Sequence, residues 1–145
     1  MIVSAVEKDS IGKYLLGKIS AYYELIKFRL SFLVAFSSGF GYILASRSDF
    51  QWSSFLLFCL GAIAISGAAV TVNQILEKDY DKLMKRTEGR PLPTDRVSVN
   101  EAWIFSLLLL SAGVLILVLY SNYITVALSL LSFLLYSFVY TPLKR

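Results

Sequence analysis

Histidine is absent from all 145 residues, which excludes imidazole ligation of a metal and the usual acid–base group near neutral pH. Any chemistry must run on carboxylates, amides, hydroxyls, Lys and Arg. Cysteine occurs once, as Cys59 inside an apolar run; it reads as a small buried residue rather than a reactive thiol and does not define a redox compartment. The first residues lack the short apolar core and small-residue cleavage site of a secretory signal. Met1 to Lys13, with Glu7, Lys8 and Asp9, therefore read as a cytoplasmic tail, and residues 1–29 as that tail plus an amphipathic lead-in. Charge is scarce as well, at 17% of residues, and it is clustered.

What the chain has is apolar surface. It is 57% hydrophobic with a mean hydropathy of +0.65, more than a soluble domain of this length needs for its core. Several apolar runs approach the roughly 20 residues that a helix needs to cross about 30 Å of hydrocarbon. The predicted fold class is an all-α integral membrane protein with four spans, over residues 30–45, 52–72, 102–120 and 124–140. Tyr22, Tyr23, Lys27 and Arg29 before the first span, and Trp52, Trp103, Tyr120, Tyr123 and Tyr136 elsewhere, suit the bilayer interface. In the second span Gly61, Ser66, Gly67, Ala68 and Ala69 permit close helix approach, which favours packing over ligation as their role. No internal repeat is visible.

Lys and Arg fall on one side of this arrangement, as expected for loops retained in the cytoplasm. Lys8, Lys13, Lys18, Lys27 and Arg29 precede the first span. Lys78, Lys82, Lys85, Arg86, Arg90 and Arg96 lie in the segment 73–100, and Lys144 and Arg145 follow the fourth span. The opposite loops hold only Arg47. Both ends and the segment 73–100 are therefore predicted to be cytoplasmic.

That segment is the one large polar stretch. Asn73, Glu77 and Asp81 are spaced by four, and a step of four advances only about 40° past a full helical turn. If the helix continues outward, the three side chains form one stripe that can converge on an ion. Mg²⁺ takes oxygen ligands, often one or two carboxylates with water and substrate phosphates in the other positions. Asp79 points about half a turn away, toward a second ion or a basic partner. Lys85, Arg86 and Arg90 follow as a basic face, and Arg grips phosphate oxygens bidentately. Metal on one edge and guanidinium on the other suits a diphosphate. Gly89 is expected to end or bend the helix, with Pro91 and Pro93 holding Arg90 on a stiff extended stretch. A charged cytoplasmic loop serving only solubility and topology is the competing reading. Polar groups beginning at membrane depth with Asn73 favour function.

Asn73-x-x-x-Glu77-x-x-x-Asp81, followed by Leu83-Met84-Lys85-Arg86-Thr87-x-x-Arg90-Pro91-Leu92-Pro93, resembles the first aspartate-rich motif of the UbiA prenyltransferase superfamily. LMKRT-x-x-RPLP is most similar to the branch that farnesylates heme. YYELIKFRLSFLV near the first span and YTPLKR at the end extend the resemblance over nearly the whole chain from Tyr22. Two departures are visible: Phe28 stands where Lys-Pro-Arg is usual, which removes a kink, and Glu77 replaces Asp while keeping the oxygen ligand.

The resemblance implies a bundle of about nine helices with a second aspartate motif facing this one, so residues 30–145 are expected to be part of a prenyltransferase domain, with the polar stripe left open to lipid or water. It implies Mg²⁺-dependent transfer of farnesyl from farnesyl diphosphate to a vinyl group of heme B, giving heme O. Asn73, Glu77 and Asp81 would serve the metal. Asn73, Lys85, Arg86 and Arg90 would serve the diphosphate, with Glu77, Asp81, Arg86 and Arg90 as the catalytic set. The implied surroundings are a bacterial inner membrane and its lipid bilayer, with contacts to heme A synthase or cytochrome oxidase assembly and no nucleic acid. Two alternatives stay open: a related transferase acting on a quinone precursor or chlorophyll-like acceptor, and a non-catalytic membrane helper that binds heme or scaffolds oxidase assembly.

Overall fold

The computed structural model describes residues 2–46 and 49–143, with the backbone alone over residues 2–10. Arg47, Lys144 and Arg145 of the charge argument lie outside the described residues. The elements are α1 (Ile2–Ile26), α2 (Phe28–Ser46), α3 (Trp52–Asp81), α4 (Val99–Tyr120) and α5 (Tyr123–Leu134). A π-helical turn, Leu135–Tyr140, and a last helical turn, Thr141–Leu143, complete the fourth span. Four helices are long and apolar enough to cross a membrane: Phe28–Ser46, Trp52–Asp81, Val99–Tyr120 and Tyr123–Leu143. No strand occurs among the described residues, so the four-span, all-helical expectation holds. Ile2–Ile26, within the expected tail and lead-in, is one helix of 25 residues.

α1 and α2 are separated by Lys27, whose φ of 45° is left-handed. Phe28 therefore does not remove the break. The orphaned carbonyls that a helix end leaves are satisfied here without proline or glycine. Gln74 Nε2 donates to the Leu25 carbonyl at 2.7 Å, and Ser31 Oγ donates to the Ile26 carbonyl at 2.9 Å.

α3 is the axis of the molecule, packed against α1, α2, α4 and α5. Its approach to α4 is backbone to backbone. A Cβ on Gly113 would lie 2.7 Å from Ile65 Cγ1 and 3.0 Å from the Gly61 carbonyl oxygen; one on Gly61 would lie 3.0 Å from Leu117 Cδ2. Small residues are what such contact requires in lipid, where helices gain little from hydrophobicity alone. Ser106 Oγ adds a hydrogen bond from α4 to the Ala68 carbonyl of α3 at 3.2 Å. The membrane-level core comprises Phe58, Ile65, Ala68, Ala69, Val72, Leu117 and Phe133.

A second core sits beneath the polar loop. Leu92 and Val97, which belong to the loop, are fully buried with Ala21 and Leu25 of α1 and Ala102 of α4. α4 then opens on a capping box: Ser98 Oγ accepts from the Glu101 N–H, and the Glu101 carboxylate accepts from the Ser98 N–H. The loop is thereby anchored at both its middle and its end.

Candidate functional site

α3 runs without interruption from the membrane core to Asp81, so the four-residue spacing of Asn73, Glu77 and Asp81 does lie on one helix face. All three are buried, at 2%, 8% and 4% exposure, while Asp79 faces solvent. The expectation that this stripe would stand open to lipid or water is overturned. Turns of the loop fold back over Asp81, and Thr141 at the end of the fourth span covers Asn73.

The helix stops at Asp81, not at Gly89, and residues 82–97 form a succession of turns. No helical basic face of Lys85, Arg86 and Arg90 exists, because no helix carries it. Arg90 is likewise held in turns and not on an extended stretch: its N–H donates to the Thr87 carbonyl, and its own carbonyl accepts from Thr94 N–H and from Thr94 Oγ1 at 2.7 Å. The local reason lies in Thr87. Its buried hydroxyl donates to the Asp81 carbonyl at 3.0 Å, reinforcing a helix-end carbonyl that otherwise accepts only the Met84 N–H at 3.4 Å, and bends the chain back.

This reversal still brings charge of both signs together. Arg90 Nη1 reaches Asp81 Oδ2 at 2.6 Å, with both side chains largely buried. Glu77, Asp81, Arg86 and Arg90 line one pocket of about 180 Å³, together with Tyr80, Met84 and Thr87. Lys85 is exposed and does not line it. Asn73 does not line it either; it lies one turn deeper, and its Nδ2 donates to Thr141 Oγ1 at 2.9 Å. Tyr80, Met84, Thr87 and Thr141 were not apparent from the spacing of charges. Of these, Thr87 carried a local signal, a Ser/Thr-type residue a few positions past a helix end, and Met84 and Thr141 fell within the motifs that carry the family resemblance.

Besides Arg90–Asp81, two ion pairs tie the loop to α1 and α3, and a third joins α1 to the start of α4. Arg96 forks onto Glu24 of α1, with Nη1 to Oε1 at 2.9 Å and Nη2 to Oε2 at 2.7 Å, and Nη2 also donates to the Gly89 carbonyl at 2.8 Å. Lys78 Nζ donates to Asp95 Oδ1 at 2.8 Å. Lys18 of α1 donates to both Glu101 oxygens at 2.9 Å. The Arg96 hydrogen bonds hold the Glu24 carboxyl below the ordinary carboxylate value and raise the guanidinium above its own. Lys78, with Lys82 nearby, lowers Asp95 in the same way.

Among the described residues no three acidic or thiol groups form a self-contained metal cage. Two carboxylates one turn apart beside two guanidiniums are instead a donor set for a hard cation that shares its coordination with phosphate oxygens. Mg²⁺ fits Glu77 and Asp81 on that basis.

A model of the UbiA prenyltransferase family matches residues 33–145. Over 128 residues, 88% of this chain and 45% of the relative, the chain is 50% identical to a protoheme IX farnesyltransferase of Cytophaga hutchinsonii. It is 38% identical over 125 residues to the mitochondrial protoheme IX farnesyltransferase of Arabidopsis thaliana, covering 86% of this chain and 29% of that one. Identity is 39% over 125 residues to the Ectopseudomonas mendocina protein of the same name, covering 86% and 42%. The chain thus spans less than half the length of these relatives. No solved structure matches it significantly. With four membrane-length helices, a carboxylate stripe leading out of the second, and a family match that runs from the first span through Arg145, the chain belongs to the UbiA prenyltransferase family.

Proposed function

We propose that the protein to which this sequence belongs transfers the farnesyl group of farnesyl diphosphate to a vinyl group of heme B, giving heme O, and that residues 30–145 are the part of its prenyltransferase domain that grips the diphosphate. The observation that carries this reading is the pocket shared by Glu77, Asp81, Arg86 and Arg90. The acceptor rests on the 50% identity to a protein named protoheme IX farnesyltransferase.

Glu77 and Asp81 would hold Mg²⁺ from one helix face, with Asn73 orienting the metal or a diphosphate oxygen. When bound, the ion supplies Lewis-acid neutralisation of the diphosphate charge. Arg86 and Arg90 take up the negative charge that grows on the leaving group as the allylic carbon–oxygen bond ionises. Arg90 spends one nitrogen on Asp81 and, with five N–H donors in a planar fork, can bond diphosphate at the same time. Lys85, exposed beside the pocket, adds long-range attraction at most. The vinyl electron pair forms the new carbon–carbon bond, and water closes the resulting cation as the hydroxyl, losing a proton. The isoprenoid chain lies among the apolar helices, where α2, α3 and α5 border an open cleft of about 430 Å³ lined by Leu30, Val34, Ile65, Val70, Leu128 and Phe133.

The distribution of Lys and Arg supports a cytoplasmic loop, and the bacterial relatives support a bacterial inner membrane. The test is heme extracted from cells that make the protein at its natural length. Heme carrying the farnesyl mass gain is the expected product, and Asp81→Ala should abolish it while leaving membrane insertion intact. Heme O persisting in that variant overturns the assignment.

A further inference from the structure

Asn73 can serve a cation only with its carbonyl oxygen, yet an amide buried at 2% exposure can sit either way round, with oxygen or nitrogen toward the site. The fourth span decides which. Thr141 Oγ1 has one hydrogen, and it is given to the Tyr136 carbonyl at 2.8 Å. While it donates there, the hydroxyl presents a lone pair to Asn73 and accepts from Nδ2 at 2.9 Å. A flipped amide would draw the hydroxyl hydrogen off the Tyr136 carbonyl and onto Oδ1, leaving that carbonyl with the Thr141 N–H alone and losing one buried hydrogen bond. Asn73 Oδ1 is thus turned away from Thr141 and remains the end of the amide available to the stripe of Glu77 and Asp81.

The backbone explains how Thr141 comes to be there. Residues Leu135–Tyr140 form a π-helical turn, and the Tyr136 carbonyl accepts both the N–H and the hydroxyl of Thr141, five residues on. One extra residue in the turn rotates everything after it by about 100° relative to an uninterrupted α-helix, and such turns recur at functional sites. This rotation brings a fully buried Thr141 onto α3 at Asn73, across 68 residues of sequence.

We propose that Thr141, set by the π turn, is a positioning residue that locks the Asn73 amide with its oxygen toward the Mg²⁺ site. The inference rests on the diphosphate-site reading above and adds to it a residue from another helix.

The test is Mn²⁺ binding, followed by electron paramagnetic resonance on the protein at its natural length in detergent with inorganic diphosphate, alongside the Mg²⁺ concentration that half-saturates farnesyl transfer. Thr141→Val should weaken both about ten-fold, and Thr141→Ser, which keeps the hydroxyl, should stay within about two-fold of the parent. Asn73→Asp supplies the decisive background, because a carboxylate presents oxygen either way round. There Thr141→Val should change Mn²⁺ binding less than two-fold, whereas a merely structural role would cost the same in both backgrounds. Thr141→Ala replaces the valine variant if that one does not accumulate, with the same expectations. Equal losses in both backgrounds, or none in either, overturn the proposal. A parent protein that binds no Mn²⁺ with diphosphate instead removes the diphosphate-site reading itself, and the role of Thr141 with it.

Discussion

At the scale of single residues, the site depends on which partners a side chain already has. Asp81 is held by Arg90 at 2.6 Å, so its carboxylate is oriented before any ligand arrives. Replacing Arg90 with Lys keeps the charge but removes the planar fork that lets one side chain bond carboxylate and phosphate together. We expect R90K to raise the KM for farnesyl diphosphate about ten-fold, a cost of about 1.4 kcal/mol, with a smaller fall in kcat; steady-state transfer kinetics check this, and an unchanged KM would place Arg90 outside the diphosphate site. The spacing of Asn73, Glu77 and Asp81 made this face legible, because helical geometry alone aligns steps of four. The Asp81–Arg90 pair was not legible. It forms through a chain reversal that depends on the Thr87 hydroxyl reaching the Asp81 carbonyl.

At the scale of elements, the contact of α3 with α4 is set by two glycines. Gly113→Ala places a Cβ against Ile65 and the Gly61 carbonyl. Ile65 can turn aside, but a backbone oxygen cannot, so the helices must separate, at a cost of about 1–3 kcal/mol. Gly12→Ala on α1 has nothing within 4 Å of the added carbon and should instead stabilise its helix by up to about 1 kcal/mol. Unfolding by SDS titration in mixed micelles measures both; equal effects would contradict the packing. The small residues of α3 announced close approach in the sequence, but the partner helix was not deducible, since a glycine does not say what meets it. The break at Lys27 was hidden for a related reason. It is sustained by Gln74, which lies 49 residues away from the carbonyl it satisfies.

At the scale of the whole molecule, the polar loop is tied to α1 by Glu24 and Arg96, so the first helix helps to shape the site although it contributes no ligand. Glu24 has a depressed pKa, below the ordinary 4.5, and a group of that kind adds stability above its unfolded value and loses it as pH falls through its folded value. Arg96, raised, stays charged throughout. The protection of residues 82–97 against hydrogen exchange, corrected for the intrinsic pH dependence of amide exchange, should therefore be constant near neutrality and fall as pH drops below the ordinary carboxylate value of 4.5, by no more than about five-fold for so exposed a pair. Glu24→Gln should show the lower protection at every pH; an unchanged profile in that variant would mean the pair does not hold the loop. Cysteines introduced at Gly89 and Asn122 in a Cys59→Ala background test orientation: reagent from the cytoplasmic side should label the first and not the second. The reverse pattern would invert the proposed topology. By itself the sequence determined what composition and period dictate, namely membrane residence, four spans and one carboxylate face, while its motifs carried the resemblance to the family. Only the tertiary structure decided that this face is buried, that Arg86 and Arg90 meet it without a helix to carry them, and that a fourth-span threonine meets Asn73. Helical periodicity is a property of neighbours along the chain, whereas hydrogen bonds between residues 68 or 72 positions apart exist only once α1, α3, the loop and the fourth span have packed together.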